Sequence, residues 1–548
     1  MTHRMHTDAL LIALFCAFLF FYGLGQFGLV GADEPRYAQV AREMLERRDW
    51  VTPVLNGRPW LEKPPLYYWQ AMLAYSQFGV TDRAARLPAA VDASLMVFAI
   101  YFFFRRFRPG FEVDAALITA SCAGIVGFAH AASMDMALAA AFAIGMLAWW
   151  AWRESGQRIY LAIFYAVMAF GVLAKGPIAP FLAGVVIVLF AALARDLRLA
   201  LRTLWLPGIV LFCAIAFPWY IAVQMRNPEF FRVFILEHNL ARFSSNLYHH
   251  REPFWYYLPV TALAMLPWIV LVIAAAAQTL RVWWTERRFF VASEPDMEFQ
   301  LSLFTGCWVM VPVVFFSLSQ SKLPGYILPA IPAGALLLAK YVRNHLQHDP
   351  TEKPALWVVG LHAVIAATPL VPALLIAHLL AEHRLPSGKP LFFALAAGVV
   401  LAAGIAITLL SKLGLRMLRF VTLVPVILAI AAVLKIGSAG LDRTLSSRPL
   451  KEQISKMEIE PRPLAVFQVS REMEYGLTFY RNQPAMRYEW GQIPADEHLL
   501  VAPENSQAEI VKELLKHTEA RRMIWLGRYA PQHVDYFWVG AAGAASQP

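Results

Sequence analysis

Residues Val113–Trp152, VDAALITASCAGIVGFAHAASMDMALAAAFAIGMLAWWAW, carry only two formal charges, Asp114 and Asp135. A helix crosses a bilayer core about 30 Å thick with roughly 20 apolar residues. The stretch is therefore long enough for two crossings, with the turn near His130–Asp135. Cations bracket it: Arg105, Arg106 and Arg108 come before, Arg153 and Arg158 after. Lys and Arg collect on the cytoplasmic side of membrane segments, so both flanks are expected inside and Asp135 on the periplasmic side.

The rest of the chain reads in phase with this hairpin. Further spans are expected near residues 9–24, 86–104, 160–174, 178–194, 204–224, 259–280, 301–318, 327–347, 355–380, 391–411 and 419–436. Arg195, Arg198 and Arg202 fall in one cytoplasmic connection, Arg281, Arg287 and Arg288 in another, and Lys412, Arg416 and Arg419 in a third. Residues 9–24 read as a retained first span, because no small-residue cleavage site follows them. Residues 355–411 fit least well, since Arg384 and Lys389 would lie outside.

Composition agrees. Hydrophobic residues make up 59% of the 548 and charged residues 16%, where a soluble globule carries about 25% charged. The net charge of +10 sits in short clusters between apolar runs. That is not the continuous basic face of a nucleic-acid binder, and no nucleic-acid partner is expected. Cys16, Cys122, Cys213 and Cys307 all fall within expected spans and read as small core residues, not as disulfides or thiolate ligands.

Three segments are more than turns. Residues 31–85 form a long first periplasmic loop, in which Tyr37, Val40, Ala41, Met44 and Leu45 make a helical apolar stripe suited to the membrane interface. Residues 226–258 form a second long loop, amphipathic around Phe230, Phe231, Phe234 and Ile235. An odd number of spans then leaves residues 437–548 outside as a small α/β domain, with strands expected at Leu464–Val469 and Met523–Leu526 and a helix at Gln507–Leu515. The expected fold is thus a polytopic α-helical membrane protein of about thirteen spans over residues 1–436, with amphipathic periplasmic helices and a C-terminal periplasmic α/β domain.

Ionisable residues at membrane level are costly and tend to be functional. The first loop opens with Asp33-Glu34-Pro35-Arg36-Tyr37-Ala38, where an acid before Pro is also an ordinary helix start. Further on comes Glu62-Lys63-Pro64-Pro65-Leu66-Tyr67-Tyr68-Trp69, whose two prolines stiffen the backbone after Lys63 and hold a cation at headgroup level. Lys175, in Ala174-Lys175-Gly176-Pro177, reads first as a snorkelling turn residue and otherwise as a headgroup contact. His249, His250 and Glu62 offer nitrogen and oxygen ligands for a divalent metal such as zinc. Adjacent histidines diverge, however, and hydrogen bonding to loop backbone is the competing account. The pairs Trp149–Trp150 and Trp283–Trp284 read as interface anchors.

The two motifs of the first loop resemble those of the lipid A aminoarabinose transferases, in the protein-O-mannosyltransferase-like branch of GT-C glycosyltransferases that use polyprenyl-phosphate sugars. The resemblance implies transfer of 4-amino-4-deoxy-L-arabinose from undecaprenyl phosphate to lipid A phosphate, with inversion, at the periplasmic face of the bacterial inner membrane. Resistance to polymyxin and cationic antimicrobial peptides would follow. By the same resemblance Asp33 and Asp135 are the catalytic carboxylates, and Lys63, Arg251, Tyr326 and Arg36 hold the donor phosphate. Glu62, Glu34 and Lys175 would position substrate or loop. No cofactor is required by this reading, and membrane lipid is a partner throughout. The competing readings are a related transferase with another sugar or a protein acceptor, and a lipid transporter or flippase.

Overall fold

The computed structural model describes residues 2–241, 252–286, 297–348, 355–380, 390–411, 414–432, 437–458, 460–517 and 521–541. The chain forms two compact units. One comprises residues 1–22, 61–70 and 86–433, the other residues 23–60, 71–85 and 434–548.

The first unit is a helical bundle of a multi-pass membrane protein. Among the described residues nine helices are long and apolar enough to cross a membrane, or eleven if each of two bent pairs counts as one span. Two shorter apolar helices, Met5–Phe21 and Ile178–Leu193, coincide with the two remaining expected spans. Burial sorts the helices into inner and outer. Of an apolar 18-residue stretch in Asp135–Ser155 and in Pro324–Leu346, 83% and 89% is buried, whereas in Leu206–Arg226 and Pro390–Leu410 the share is 22% each. The outer helices expose Val210, Phe217, Ile221, Phe393, Val399 and Ile407, a surface suited to lipid rather than water.

The bent pairs support each other. Glu112–Ala120 and Ala123–Ala129 meet at 64°, and Tyr257–Ala264 and Ile269–Thr285 at 113°. A broken helix at membrane depth must satisfy the backbone groups it frees. Here Ala123 donates its N–H to the Leu266 carbonyl (2.9 Å), and Trp268 Nε1 donates to Ser121 Oγ (3.0 Å).

Cationic helix ends gather at one end of the bundle. Arg108, after Asp82–Phe107, makes two bonds to Glu154 (2.6 and 3.1 Å) at the end of Asp135–Ser155 and pairs with Glu298 at the start of Met297–Leu318. Lys340 and Arg343 lie 3.7 Å from Glu298. Trp149 and Trp150 are not interface anchors. Both are wholly buried against Phe190 and Phe304, and their indole N–H groups donate to Thr203 Oγ1 and Glu154 Oε2 (both 2.9 Å). Buried indoles need such partners, and both find one. Phe230 and Phe234 stack on each other at 5.3 Å and lie against Tyr220, while Phe231 is exposed.

The second unit holds a five-stranded sheet in the order Ala485–Arg487, Leu464–Val466, His498–Pro503, Val534–Val539, Met523–Tyr529. The first three strands are parallel and the last two join antiparallel. Strand alternation sends Leu464, Val466, Leu499 and Val501 to one face, where Leu450, Ile454, Met473 and Leu477 cover them. Ala465, Leu500 and Ala502 face the other way, under Ile510 and Leu514. The helix observed at Gln507–His517 extends the expected one by two residues.

The same unit contains most of the first loop. Asp33–Arg47 is a helix whose Tyr37, Val40, Ala41 and Met44 are buried. Protein covers the stripe that was expected to face the membrane interface. Helix Arg471–Arg481 lies beside it, and Arg42 donates to the Phe479 carbonyl at 2.8 Å. A hairpin pairs Val54–Leu55 with Arg58–Pro59, turning at Asn56 and Gly57, both at positive φ. Glu43 accepts the N–H groups of both turn residues (2.8 and 3.0 Å).

Candidate active site

In the first unit, helix Asp135–Ser155 and helix Arg158–Lys175 are joined by Gly156 and Gln157. So short a connection makes them antiparallel neighbours. Consequently the first residue of one and the last of the other stand at the same level. Asp135 is in the first turn of its helix and Lys175 in the last turn of its own, where the helix dipoles favour an anion and a cation respectively. The Lys175 ammonium is ion-paired with Asp135 Oδ1, and both side chains are mostly buried (16% and 17% exposed). Lys175 is therefore not a snorkelling turn residue, because a buried carboxylate within reach satisfies it better than a remote interface does.

Tyr326 joins this pair, with the Lys175 ammonium 4.6 Å from the centre of its ring. The tyrosine lies on the 3-10 segment Pro324–Ala330 and packs on Phe316. Gly325 is in van der Waals contact with the site. A Cβ there would stand 2.7 Å from Asp135 Cγ and 2.8 Å from Phe128 Cε1. Tyr257 anchors the loop from beneath. Its hydroxyl donates to the Leu323 carbonyl (3.0 Å) and accepts the Leu323 N–H (3.1 Å). Lys322 is buried and donates to the Ser319 carbonyl at 2.5 Å. The turn before Asp135 is tied by His130, whose ring nitrogens lie 2.9 Å from the Val126 carbonyl and 3.1 Å from the Tyr22 carbonyl. This cluster occupies helix ends opposite those that carry Arg108, Glu154 and Lys340. Glu62 and Lys63 belong to the same unit and are half-buried.

Asp33, Glu34 and Arg36 belong to the second unit. Asp33 begins its helix, and its carboxylate, 51% exposed, is ion-paired with Arg36 one turn on. Glu34 is buried and accepts the Val30 N–H at 2.9 Å, which closes the entry to the helix. The Arg36 guanidinium lies among three aromatic rings, 5.0 Å from Tyr37, 5.1 Å from Trp60 and 5.5 Å from Tyr475. Its side chain is 10% exposed. The geometry thus gives Arg36 a hold on Asp33.

Arg251, His249 and His250 lie outside the described residues. Among those described, no three His, Cys, Asp or Glu side chains come together as a metal site. Gly325, Tyr257 and Tyr475 were not singled out in the sequence. A Gly-Tyr pair after Pro324 is a local signal for the first, but the others act through partners 66 and 439 residues away.

What the first unit can do chemically follows from its parts. A lysine, a tyrosine and a carboxylate gathered at the ends of buried helices suit an anionic group with a polar substituent. Donors fixed in a site shielded from water are worth more to a developing charge than the same donors in solvent.

The family described as dolichyl-phosphate-mannose-protein mannosyltransferase matches residues 7–234. The undecaprenyl phosphate-alpha-4-amino-4-deoxy-L-arabinose arabinosyl transferase of Aeromonas salmonicida is 30% identical over 450 residues, 79% of this chain and 78% of that one. Its namesakes in Serratia proteamaculans and Aeromonas hydrophila are 31% and 33% identical, and the matches span 59% and 63% of their length. The crystal structure of ArnT from Cupriavidus metallidurans bound to undecaprenyl phosphate superposes with a TM-score of 0.74 at 25% identity, covering 98% of this chain and 99% of that one.

Proposed function

Because the chain belongs to the undecaprenyl phosphate-aminoarabinose arabinosyl transferase family, we propose that it transfers 4-amino-4-deoxy-L-arabinose from undecaprenyl phosphate to a phosphate of lipid A. The reaction runs at the periplasmic face of the inner membrane. The observation that carries this reading is the Asp135–Lys175 pair beside Tyr326, at the helix ends opposite the arginine-rich ones. By the positive-inside rule, the ends bearing Arg108 are cytoplasmic and the pair faces out.

In the reaction a lipid A phosphate oxygen attacks the anomeric carbon of the sugar. The bond from that carbon to the donor phosphate oxygen breaks, and its electron pair leaves with undecaprenyl phosphate. Attack from the opposite face inverts the anomeric centre. The donor diester carries one negative charge and the acceptor two; the product diester carries one and undecaprenyl phosphate two. Charge balances without transfer of a proton, so no general base is needed. The chain's task is to neutralise the phosphate that leaves and to steady positive charge at the anomeric carbon. Lys63 and Tyr326 are suited to the first role, together with Arg251. Lys175 can exchange Asp135 for the donor phosphate, which frees the Asp135 carboxylate for the sugar's amino group. Asp33 serves the anomeric carbon.

A related transferase with a protein acceptor is the second reading, favoured by the mannosyltransferase family match over residues 7–234. Mass spectrometry of lipid A from cells with and without the protein separates the two. A gain of one aminoarabinose that requires the protein supports the first reading. Unmodified lipid A in cells that make the donor, with sugar found on protein, supports the second.

A further inference from the structure

We propose that the C-terminal α/β domain takes part in catalysis, with Tyr475 as a positioning residue that fixes Arg36 and through it the Asp33 carboxylate. This rests on the reading of Asp33 as catalytic.

The chain of contacts lies within one compact unit. Asp33 is the exposed first residue of its helix, and the short side chain of an exposed aspartate has little of its own to fix it. Arg36, at i+3, is its ion-pair partner, and the guanidinium is held by rings from three separate segments. Tyr37 comes from the same helix, Trp60 from the residue after the hairpin, and Tyr475 from helix Arg471–Arg481. A planar guanidinium packed on aromatic faces is preorganised, so less order is lost when it binds a carboxylate.

Other contacts make the Arg471–Arg481 helix a support for the loop and not a chance neighbour. Tyr480 accepts the Leu29 N–H at 2.6 Å and donates to Asp82 at 2.7 Å. Gln39 donates to Asn482 at 3.3 Å, and the Arg42 guanidinium lies 4.9 Å from the Phe479 ring. Arg448 pairs with both Asp82 (2.8 Å) and Asp442 (2.7 Å), and Asp442 accepts the Gly28 N–H at 2.7 Å. A Cβ on Gly28 would lie 2.2 Å from Ser446 Oγ, so the segment leading into Asp33 fits closely against the domain. Misplacement of a reacting group by about 1 Å can cost about 100-fold in rate, so a smaller shift is felt as well.

The test compares Tyr475→Phe with Tyr475→Leu in the full-length protein, assayed for transfer with a synthetic polyprenyl-phosphate aminoarabinose donor. Both replacements are apolar and of similar bulk, but only Phe presents a ring to the guanidinium. The inference expects Tyr475→Leu to lose about tenfold in kcat with the KM for donor unchanged, and Tyr475→Phe to restore most of the rate. Equal rates for Leu and Phe, both folded by thermal unfolding, would overturn it. If either variant fails to fold, the pair Trp60→Phe and Trp60→Leu reads the same contrast at the facing ring. Asp33→Asn is run in parallel. An inactive Asp33→Asn beside indifferent Tyr475 variants would sink only this inference, whereas an active Asp33→Asn would sink the underlying reading.

Discussion

Lys175 closes one helix and Asp135 opens its antiparallel neighbour, and the ammonium of the first is ion-paired to the carboxylate of the second. Neither charge is fully desolvated, but removing one leaves the other stranded in a largely buried position. Breaking such a pair costs about 3 kcal/mol, while replacing both partners by neutral groups costs little. Lys175→Met is therefore expected to destabilise the protein by about that much, and Lys175→Met with Asp135→Asn to recover most of it. Transfer activity should stay lost in the double variant. Unfolding in detergent and lipid A transfer, measured on the same preparations, check this. Recovery of both together would make the pair purely structural.

Gly325→Ala tests how closely the loop is fitted to the carboxylate. The new Cβ would meet Asp135 Cγ at 2.7 Å and Phe128 Cε1 at 2.8 Å, so one of them must move. Transfer should fall at least tenfold, because a displaced reacting group costs that much. Stability should fall by only about 1–3 kcal/mol, as for overpacking elsewhere. Rates near those of the parent protein would show that the site tolerates the shift.

The C-terminal domain should respond to mild acid through His498. This imidazole is wholly buried, beside the Tyr488 hydroxyl and 2.8 Å from the Asp496 carbonyl. Burial holds its proton affinity below that of an ordinary histidine. In the unfolded chain it protonates near pH 6.5. As the pH falls below that value, the unfolded state gains a proton the folded state does not, and stability is lost. The slope approaches about 1.4 kcal/mol per pH unit. Unfolding temperatures measured from pH 7.5 to 5 should fall more steeply for the parent than for His498→Gln, which keeps a partner for Tyr488 but does not titrate. Parallel curves would rule His498 out as the cause.

Much of the bundle could be read from local sequence, since span length and the side taken by arginines are both local properties. The lack of charge in Val113–Trp152 implies two crossings with a turn near His130–Asp135, and the second begins at Asp135; the 64° bend within the first is not legible in the charge pattern. The partnership of Lys175 was not readable, because a lone cation in a turn gives the same signal whether it snorkels or finds a carboxylate 40 residues away. The stripe Tyr37, Val40, Ala41, Met44 announced a helix but not its cover, since lipid and protein demand the same periodicity. Short strands such as Ala485–Arg487 are not legible, because three residues carry too little alternation to stand out. The burial of Trp149 and Trp150 is not legible in their pairing, because the rings that receive them, Phe190 and Phe304, lie far along the chain.

The most direct test of the central claim is reconstitution of the purified protein with a defined undecaprenyl-phosphate aminoarabinose donor and unmodified lipid A, with the product followed by mass spectrometry. The account predicts lipid A heavier by one aminoarabinose and an equal yield of undecaprenyl phosphate, with Asp33→Asn and Asp135→Asn each at least 100-fold slower, a loss in the range for preorganised charge in a catalytic site. Donor left intact by the folded parent protein, or lipid A modified equally well by both variants, would contradict it.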